Sequence, residues 1–240
     1  MSKIKFGTDG WRAIIAKDFT VENVARVTEG TAAWLNKNFK NPSVVVGHDC
    51  RFAGELFADT VTKVFIANNI KVYLAKDYVS TPMVSLGTVT YKADLGVIIT
   101  ASHNPPSYNG YKLKANYGGP LTPDKVQEVE DIIPGKSSVN LDAISLKDAE
   151  AKGLLEYKNL EDLYIQQVEK SFDIAAIKNS GIRFAYDSMY GAGKRVMMRL
   201  FPEILHLHND DNPGFHGQAP EPIHKNLLGC SNLIKSRGDK

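Results

Sequence analysis

Val44-Val45-Val46-Gly47 contains no polar position, whereas the stretch 54–69 carries Phe57, Val61, Val64 and Phe65 at i, i+4, i+7 and i+8. The first pattern predicts a strand buried on both faces. The second predicts a helix with one apolar face. The theme repeats on both sides. Upstream, residues 20–36 place Val24, Val27, Thr31 and Leu35 in helical register. Downstream, 70–74 and 95–100 read as strands, and Asn109-Gly110-Tyr111-Lys112-Leu113-Lys114 reads as a turn entering another. Two helices open on the same device. Thr81-Pro82 and Thr122-Pro123-Asp124 each offer Thr as the cap and Pro in the first turn. The second of these carries Val126, Val129 and Ile133 on its face. Strands interleaved with helices predict an α/β architecture around a largely buried sheet.

The polar breaker cluster Pro134-Gly135-Lys136-Ser137-Ser138 predicts the end of this first unit. Residues 139–153 have no clear period and read as a hairpin or a linker. The alternation then restarts. A helix is expected over 160–172, with Leu160, Leu163, Tyr164, Gln167 and Val168 at helical spacing. A strand over 182–186 ends at Asp187, Gly191-Ala192-Gly193 opens a helix through Leu200, and a last helix covers 223–236. The expected division is a first domain over 1–136, a linker or edge region over 137–155, and a partial second domain over 156–240. A helix followed by the Gly238-Asp239 turn should lead into a further strand, so a truncated second domain is expected. The expected fold class is α/β, in layered αβα domains with mixed sheets, the first complete and the second truncated.

Composition narrows the function classes. A chain of 240 residues can bury a core without metals or disulfides. Lys plus Arg number 29 and Asp plus Glu 27, so no basic excess points to nucleic acid. The two cysteines, Cys50 and Cys230, lie far apart, which excludes a disulfide framework and a zinc ribbon and fits a reducing, cytoplasmic setting. No apolar run follows the N-terminal charges as a signal peptide requires, and the apolar stretches are strand-sized, so no membrane partner is expected.

The richest chemistry lies in Thr100-Ala101-Ser102-His103-Asn104-Pro105-Pro106, directly after a predicted buried strand. Ligand sites of α/β folds sit at such strand ends. A Pro-bounded loop holds Ser102 on display beside a titratable His103 and the amide of Asn104. The competing reading is a polar turn whose Ser, Asn and Pro only satisfy turn geometry. The next strand could return Lys112 towards Ser102, although taken by itself the residue reads better as a solvated strand lysine. Gly7-Thr8-Asp9-Gly10-Trp11-Arg12 is a second cluster. Its glycines allow a tight turn with N–H groups facing an anion, and Arg12 can fork onto phosphate; a hairpin with a surface arginine is the alternative. Gly47-His48-Asp49-Cys50-Arg51 is a third loop at a strand end, and it brings Arg51 as another cation. Other stretches fail. Gly191-Ala192-Gly193-Lys194 lacks P-loop spacing and the third glycine of a dinucleotide fingerprint, and reads as a tight loop before a helix. His206, His208, Asp210 and Asp211 read as an irregular polar loop rather than a metal site. No GxSxG elbow surrounds Ser102.

Taken in order, the chain resembles the α-D-phosphohexomutases, the phosphoglucomutase and phosphomannomutase family. The resemblance rests on Gly7-Thr8-Asp9-Gly10-Trp11-Arg12, Thr100-Ala101-Ser102-His103-Asn104-Pro105, Asn109-Gly110-Tyr111-Lys112, and the run Asn212-Pro213 to Phe215, Gly217 and Pro220-Glu221-Pro222. It spans nearly the whole chain but only about half of a family member, which has four domains. It implies that Ser102 carries a phosphoryl group between hydroxyls of a hexose phosphate through a bisphosphorylated sugar, with glucose 1,6-bisphosphate as activator. Lys112 is then the general acid/base, with His103 shaping the serine loop, and Arg12, Asn104 and Arg51 serving phosphate. Mg2+ would bind the phosphate on Ser102 together with three aspartates of a DGDxDR loop. That loop is expected after residue 236, beyond Lys240, and Asp239 does not restore it. The 240-residue chain is therefore expected to lack mutase turnover and to hold magnesium weakly. A phosphoglucosamine mutase shares the serine loop and is the nearest alternative. A non-catalytic binding module that keeps the loop is another, and a serine hydrolase is more distant.

Overall fold

The computed structural model describes residues 4–8 and 10–236. Asp9 of the first loop and the expected Gly238-Asp239 turn lie outside the described residues.

The chain runs β1 (Trp11–Ile14), α1 (Val21–Asn38), β2 (Ser43–His48), α2 (Gly54–Ala67), β3 (Lys71–Ala75), α3 (Thr81–Thr90), β4 (Leu95–Ile99), β5 (Tyr108–Ala115) and α4 (Pro123–Asp131). It continues through α5 (Leu146–Ala151), β6 (Leu155–Lys158), α6 (Leu160–Ser171), α7 (Ile174–Lys178), β7 (Ala185–Asp187), α8 (Lys194–Leu200), β8 (Leu205–Leu207) and α9 (His224–Ser236). Six strands form one mixed sheet in the order β1-β5-β4-β2-β3-β6, and β7 and β8 form a second, parallel pair. In the large sheet β4, β2, β3 and β6 are parallel, while β5 runs antiparallel to both β4 and β1.

The unbroken apolar run in β2 has a direct cause. Successive side chains point to opposite faces, and both faces are covered. Val44 and Val46 join the core beneath α1, α2 and α4, with Val72, Val97, Ile99 and Tyr111. Val45 and Ile98 join the opposite core, with Met83 and Val84 of α3, Leu160 and Ile165 of α6, and Val196 and Leu200 of α8. Helix starts follow local chemistry. The Thr20 hydroxyl caps α1 by accepting the Asn23 N–H at 3.2 Å. In α3, however, Ser80 is the N-cap, so Thr81 is already helical and the expected Thr81 cap is displaced by one residue.

Other differences have physical reasons. Trp11 and Arg12, expected within a loop or hairpin, open edge strand β1, because Trp11 and Ala13 bury against the sheet on alternate positions. The stretch 137–155, expected as a linker or edge region, is built rather than open. It contains a 3-10 turn at Leu141–Ala143 and α5, and it delivers β6 to β3, where Leu155 is buried. Residues 156–158 therefore extend the first sheet instead of starting the second unit. The strand expected over 182–186 is only Ala185–Asp187, with Ile182 exposed. His206, expected in a polar loop, lies on β8 opposite Tyr186. Among the described residues no helix is long and apolar enough to cross a membrane.

Candidate functional site

β2 and β4 are adjacent and parallel, so their C-terminal ends open on the same sheet edge. β5 begins at that edge, and β1 pairs there with Arg12 opposite Gly110. The topology thus gathers the loop Asp49-Cys50-Arg51, the loop 100–107 and Arg12 in one place, where parallel sheets hold their ligands.

The serine loop is held by hydrogen bonds along its whole length. Ser102 is exposed and left-handed, with φ 57. A non-glycine residue adopts that region only where its surroundings require it. The Ser102 N–H donates to Thr100 Oγ1 at 3.1 Å, and the Thr100 hydroxyl donates to Asp49 Oδ2 at 2.5 Å. The Arg51 N–H donates to Asp49 Oδ1 at 3.0 Å. The Arg51 guanidinium reaches furthest. Nη2 donates to the carbonyls of Ser102 and Asn104, both at 2.7 Å, and Nη1 donates to those of Pro105 at 2.8 Å and Tyr108 at 3.0 Å. Burial pushes the Asp49 carboxyl upward, against the opposing pull of Arg51 and the Thr100 hydroxyl. Burial likewise lowers Arg51, with Asp49 countering it.

Arg51 is 3% exposed, and both N–H groups on each terminal nitrogen are spent on carbonyls. Its expected role as a phosphate ligand is therefore corrected: it clamps the loop backbone from below. Arg12 is half-buried and donates from Nη1 to Asn104 Oδ1 at 3.1 Å, so those two expected residues meet. Lys112 is buried on β5, opposite Ile98. Its stem passes so close to Gly10 that a Cβ there would sit 2.8 Å from Lys112 Cγ, and Gly10 takes φ +97. Only glycine suits both demands. The Gly7 N–H donates to the Gly10 carbonyl at 3.0 Å, closing the expected tight turn, so this N–H is used within the loop.

Across the loop lies a cavity of about 580 Å3, with Ser102, His103, Thr100 and Asp49 on one side. Lys112 is not among its lining residues. Asp187, Ser188, Met189, Phe215 and the Gly191-Ala192 turn form the other wall. Cys50 bridges the walls, its thiol donating to the Tyr190 carbonyl at 3.0 Å. Burial, then the Asp49 charge, pushes that thiol up to about 12, so it is protonated and not nucleophilic at neutral pH. The Asp187 side chain is 5% exposed; Oδ1 accepts the Met189 N–H at 3.0 Å and meets His208 Nδ1 at 2.8 Å. Its Oδ2 is buried without a hydrogen-bond partner among the described residues. Among those residues no three His, Cys, Asp or Glu side chains are placed to hold a metal together.

Motif reading gives no role to Asp49 and Thr100, although both sit in motif clusters, and takes Asp187 only as a strand end; all three line the cavity. Thr100 and Asp187 end predicted strands and Asp49 lies in the loop after one, although Asp187 comes from the second sheet.

The profile of phosphoglucomutase/phosphomannomutase, alpha/beta/alpha domain I, matches residues 3–140. A phosphoglucomutase/phosphomannomutase of Thermococcus kodakarensis is 30% identical over 97% of this chain and 51% of its own length. A phosphoribomutase of Saccharomyces cerevisiae is 33% identical over 86% of this chain and 36% of its own. The crystal structure described as that of a phosphomannomutase from Thermus thermophilus superposes with a TM-score of 0.85 at 32% identity, covering 97% of this chain and 52% of the other. The chain thus spans about half the length of the Thermococcus and Thermus relatives.

Proposed function

Since the chain belongs to the phosphoglucomutase/phosphomannomutase family, we propose that it forms the phosphoryl-carrying part of a sugar-phosphate mutase, with Ser102 as the carrier. One observation supports this above the others: Ser102 stands exposed in a strained left-handed turn whose backbone is held by Arg51, Thr100 and Asp49. A loop serving only as a polar turn has no need of such a clamp.

In the proposed reaction the Ser102 Oγ–P bond breaks as a hydroxyl of the sugar phosphate forms a new O–P bond. The reverse transfer from the bisphosphorylated sugar returns the other phosphoryl group to Ser102. Phosphoryl transfer asks chiefly for positioning and charge neutralisation. Lys112 would give a proton to the departing serine oxygen and recover one from the attacking hydroxyl. His103 and Asn104 shape the loop, and Arg12, joined to Asn104, meets phosphate. Arg51 acts on the loop alone. Mg2+ would neutralise charge on the phosphoserine, and among the described residues no carboxylate set is placed to hold it.

A hexose phosphate is the leading substrate and glucose 1,6-bisphosphate the activator. The yeast phosphoribomutase relative makes a pentose phosphate the second reading. Mass spectrometry separates carrier from bystander. Held with glucose 1,6-bisphosphate and magnesium, the chain should slowly gain one phosphoryl group within residues 100–107, and Ser102→Ala should gain none. Sustained turnover is not expected of this chain. Labelling elsewhere, or none, removes Ser102 from the role.

A further inference from the structure

Arg51 has a neighbour beyond the serine loop. Its guanidinium lies over the ring of Phe215, with Cζ 5.0 Å from the ring centroid. Phe215 comes from the second unit, is 2% exposed, and lines the same cavity as Ser102. Its backbone is left-handed at φ 49, and His216 repeats that conformation at φ 49. Two successive non-glycine residues in this region are uncommon, and such strain gathers where structure serves function. The turn that imposes it is built on Asn212. The Asn212 carbonyl accepts the Phe215 N–H at 2.9 Å, and Asn212 Oδ1 accepts the N–H groups of Gly214 at 2.9 Å and His216 at 3.3 Å. His216 Nε2 is 2.8 Å from Asp210 Oδ2, which pins the far side.

The two ends of this contact do different things. On one side, the four terminal N–H groups of Arg51 hold the carbonyls of Ser102, Asn104, Pro105 and Tyr108. On the other, a strained turn delivers an aromatic ring to the same guanidinium. A ring packed there attracts the cation and keeps away water that would compete for the carbonyls.

We propose that Phe215 is a positioning residue for Ser102, acting through Arg51, so that seating of the second unit fixes the serine loop in its left-handed turn. Its meaning for catalysis rests on the reading of Ser102 as the phosphoryl carrier; its test does not.

The test is hydrogen exchange, read by mass spectrometry on the 240-residue chain, over residues 100–109, 185–207 and 212–218. Phe215→Leu keeps an apolar side chain but removes the ring. It should speed exchange of 100–109 about three- to thirtyfold, the span a partly desolvated cation–π contact implies. Phe215→Tyr, which keeps the ring, should restore the native rate. In an Arg51→Lys background Phe215→Leu should add little, because the two residues act as one unit. Unchanged exchange of 100–109 in Phe215→Leu, independent effects of the two substitutions, or a Phe215→Tyr chain as loose as Phe215→Leu would each overturn the proposal. Should Phe215→Leu unfold the second unit, fast exchange across 185–207 reports it, and Arg51→Lys decides instead. Coupling is reciprocal, so loosening the clamp with Phe215 intact must speed exchange of both 100–109 and 212–218; a 212–218 segment left unmoved overturns the coupling. Exchange reads loop order with or without phosphate on Ser102. An unlabelled Ser102 therefore strikes the carrier reading alone.

Discussion

Tyr111 sits on β5 one residue from Lys112, opposite Trp11 of β1, and is fully buried. Its ring meets Phe6 edge-on at 6.3 Å, and its hydroxyl is 3.5 Å from Thr31 Oγ1 of α1. The residue before Lys112 is thus anchored in the core, which fixes the strand that presents Lys112 to Gly10. Burial pushes the Tyr111 phenol up to about 12 from 10.0, with the threonine hydroxyls only partly opposing it. The folded state then holds a proton that the unfolded chain gives up. The associated stability is complete below pH 10 and is lost as pH rises through about 12. It amounts to about 3 kcal/mol at its largest. Urea titrations at stepped pH should show stability falling over this window, with a visibly shallower fall in Tyr111→Phe. Equal slopes in the two proteins would mean that other groups set the alkaline limit.

Among the elements, β6 alters the expected layout most. Between β3 and its parallel partner β6 the chain passes through α3, β4, β5 and α4, and the breaker cluster, the 3-10 turn and α5 make the last leg back. The cluster is itself tied down. The hydroxyls of Ser137 and Ser138 both donate to the Glu29 carboxylate of α1. Leu155 then enters the same core as Val72 and Leu74. If β6 belongs to the first unit energetically, Leu155→Ala should cost about 2–5 kcal/mol, as for a fully buried leucine. Chemical denaturation followed by the fluorescence of Trp11 and Trp34, both buried in the first unit, would measure it. A change under about 1 kcal/mol would mark β6 as a loosely held strap.

For the whole molecule, the question is what seats the second unit on the first. Part of the answer is apolar: Val196 and Leu200 of α8 share a core with Val45 and Ile98 of the large sheet. The rest is a charged latch. Arg195 stacks on Tyr78 at 3.9 Å, donates to the Tyr78 carbonyl at 2.9 Å, and pairs with Glu161 and Asp77, both at 2.6 Å. Tyr78 in turn donates to Asp211 at 3.3 Å. Since both cavity walls depend on this seating, the latch bears on the site from a distance. Arg195→Ala should split thermal unfolding into two transitions, the second unit melting first. A single unshifted transition in scanning calorimetry would show that the shared core is sufficient. On the outer side, Ile182, Phe184 and Ile234 border an open cavity of about 520 Å3. Exposed apolar surface of this kind favours association, so light scattering should rise with concentration and fall in Ile182→Lys.

Much of this was legible along the chain because local rules suffice for it. Strand and helix periods in residues 20–131 follow from burial of one face or two, and the serine loop announces itself by following a buried strand. The family could be read from contiguous motifs for the same reason. What eluded such reading depends on partners distant in sequence. β1, β6 and β8 are short and become strands only through pairing with β5, β3 and β7. Read by itself Arg51 is a cation in a strand-end loop, and the family resemblance implies a phosphate ligand. Folding instead buries it under carbonyls more than fifty residues away. Asp187 and Phe215 gain their place at the cavity only once the second unit rests on the first. Periodicity reports which faces are buried, and it carries no information on what lies across a buried face. The assignment of a polar side chain to clamp, wall or ligand is therefore settled by long-range packing.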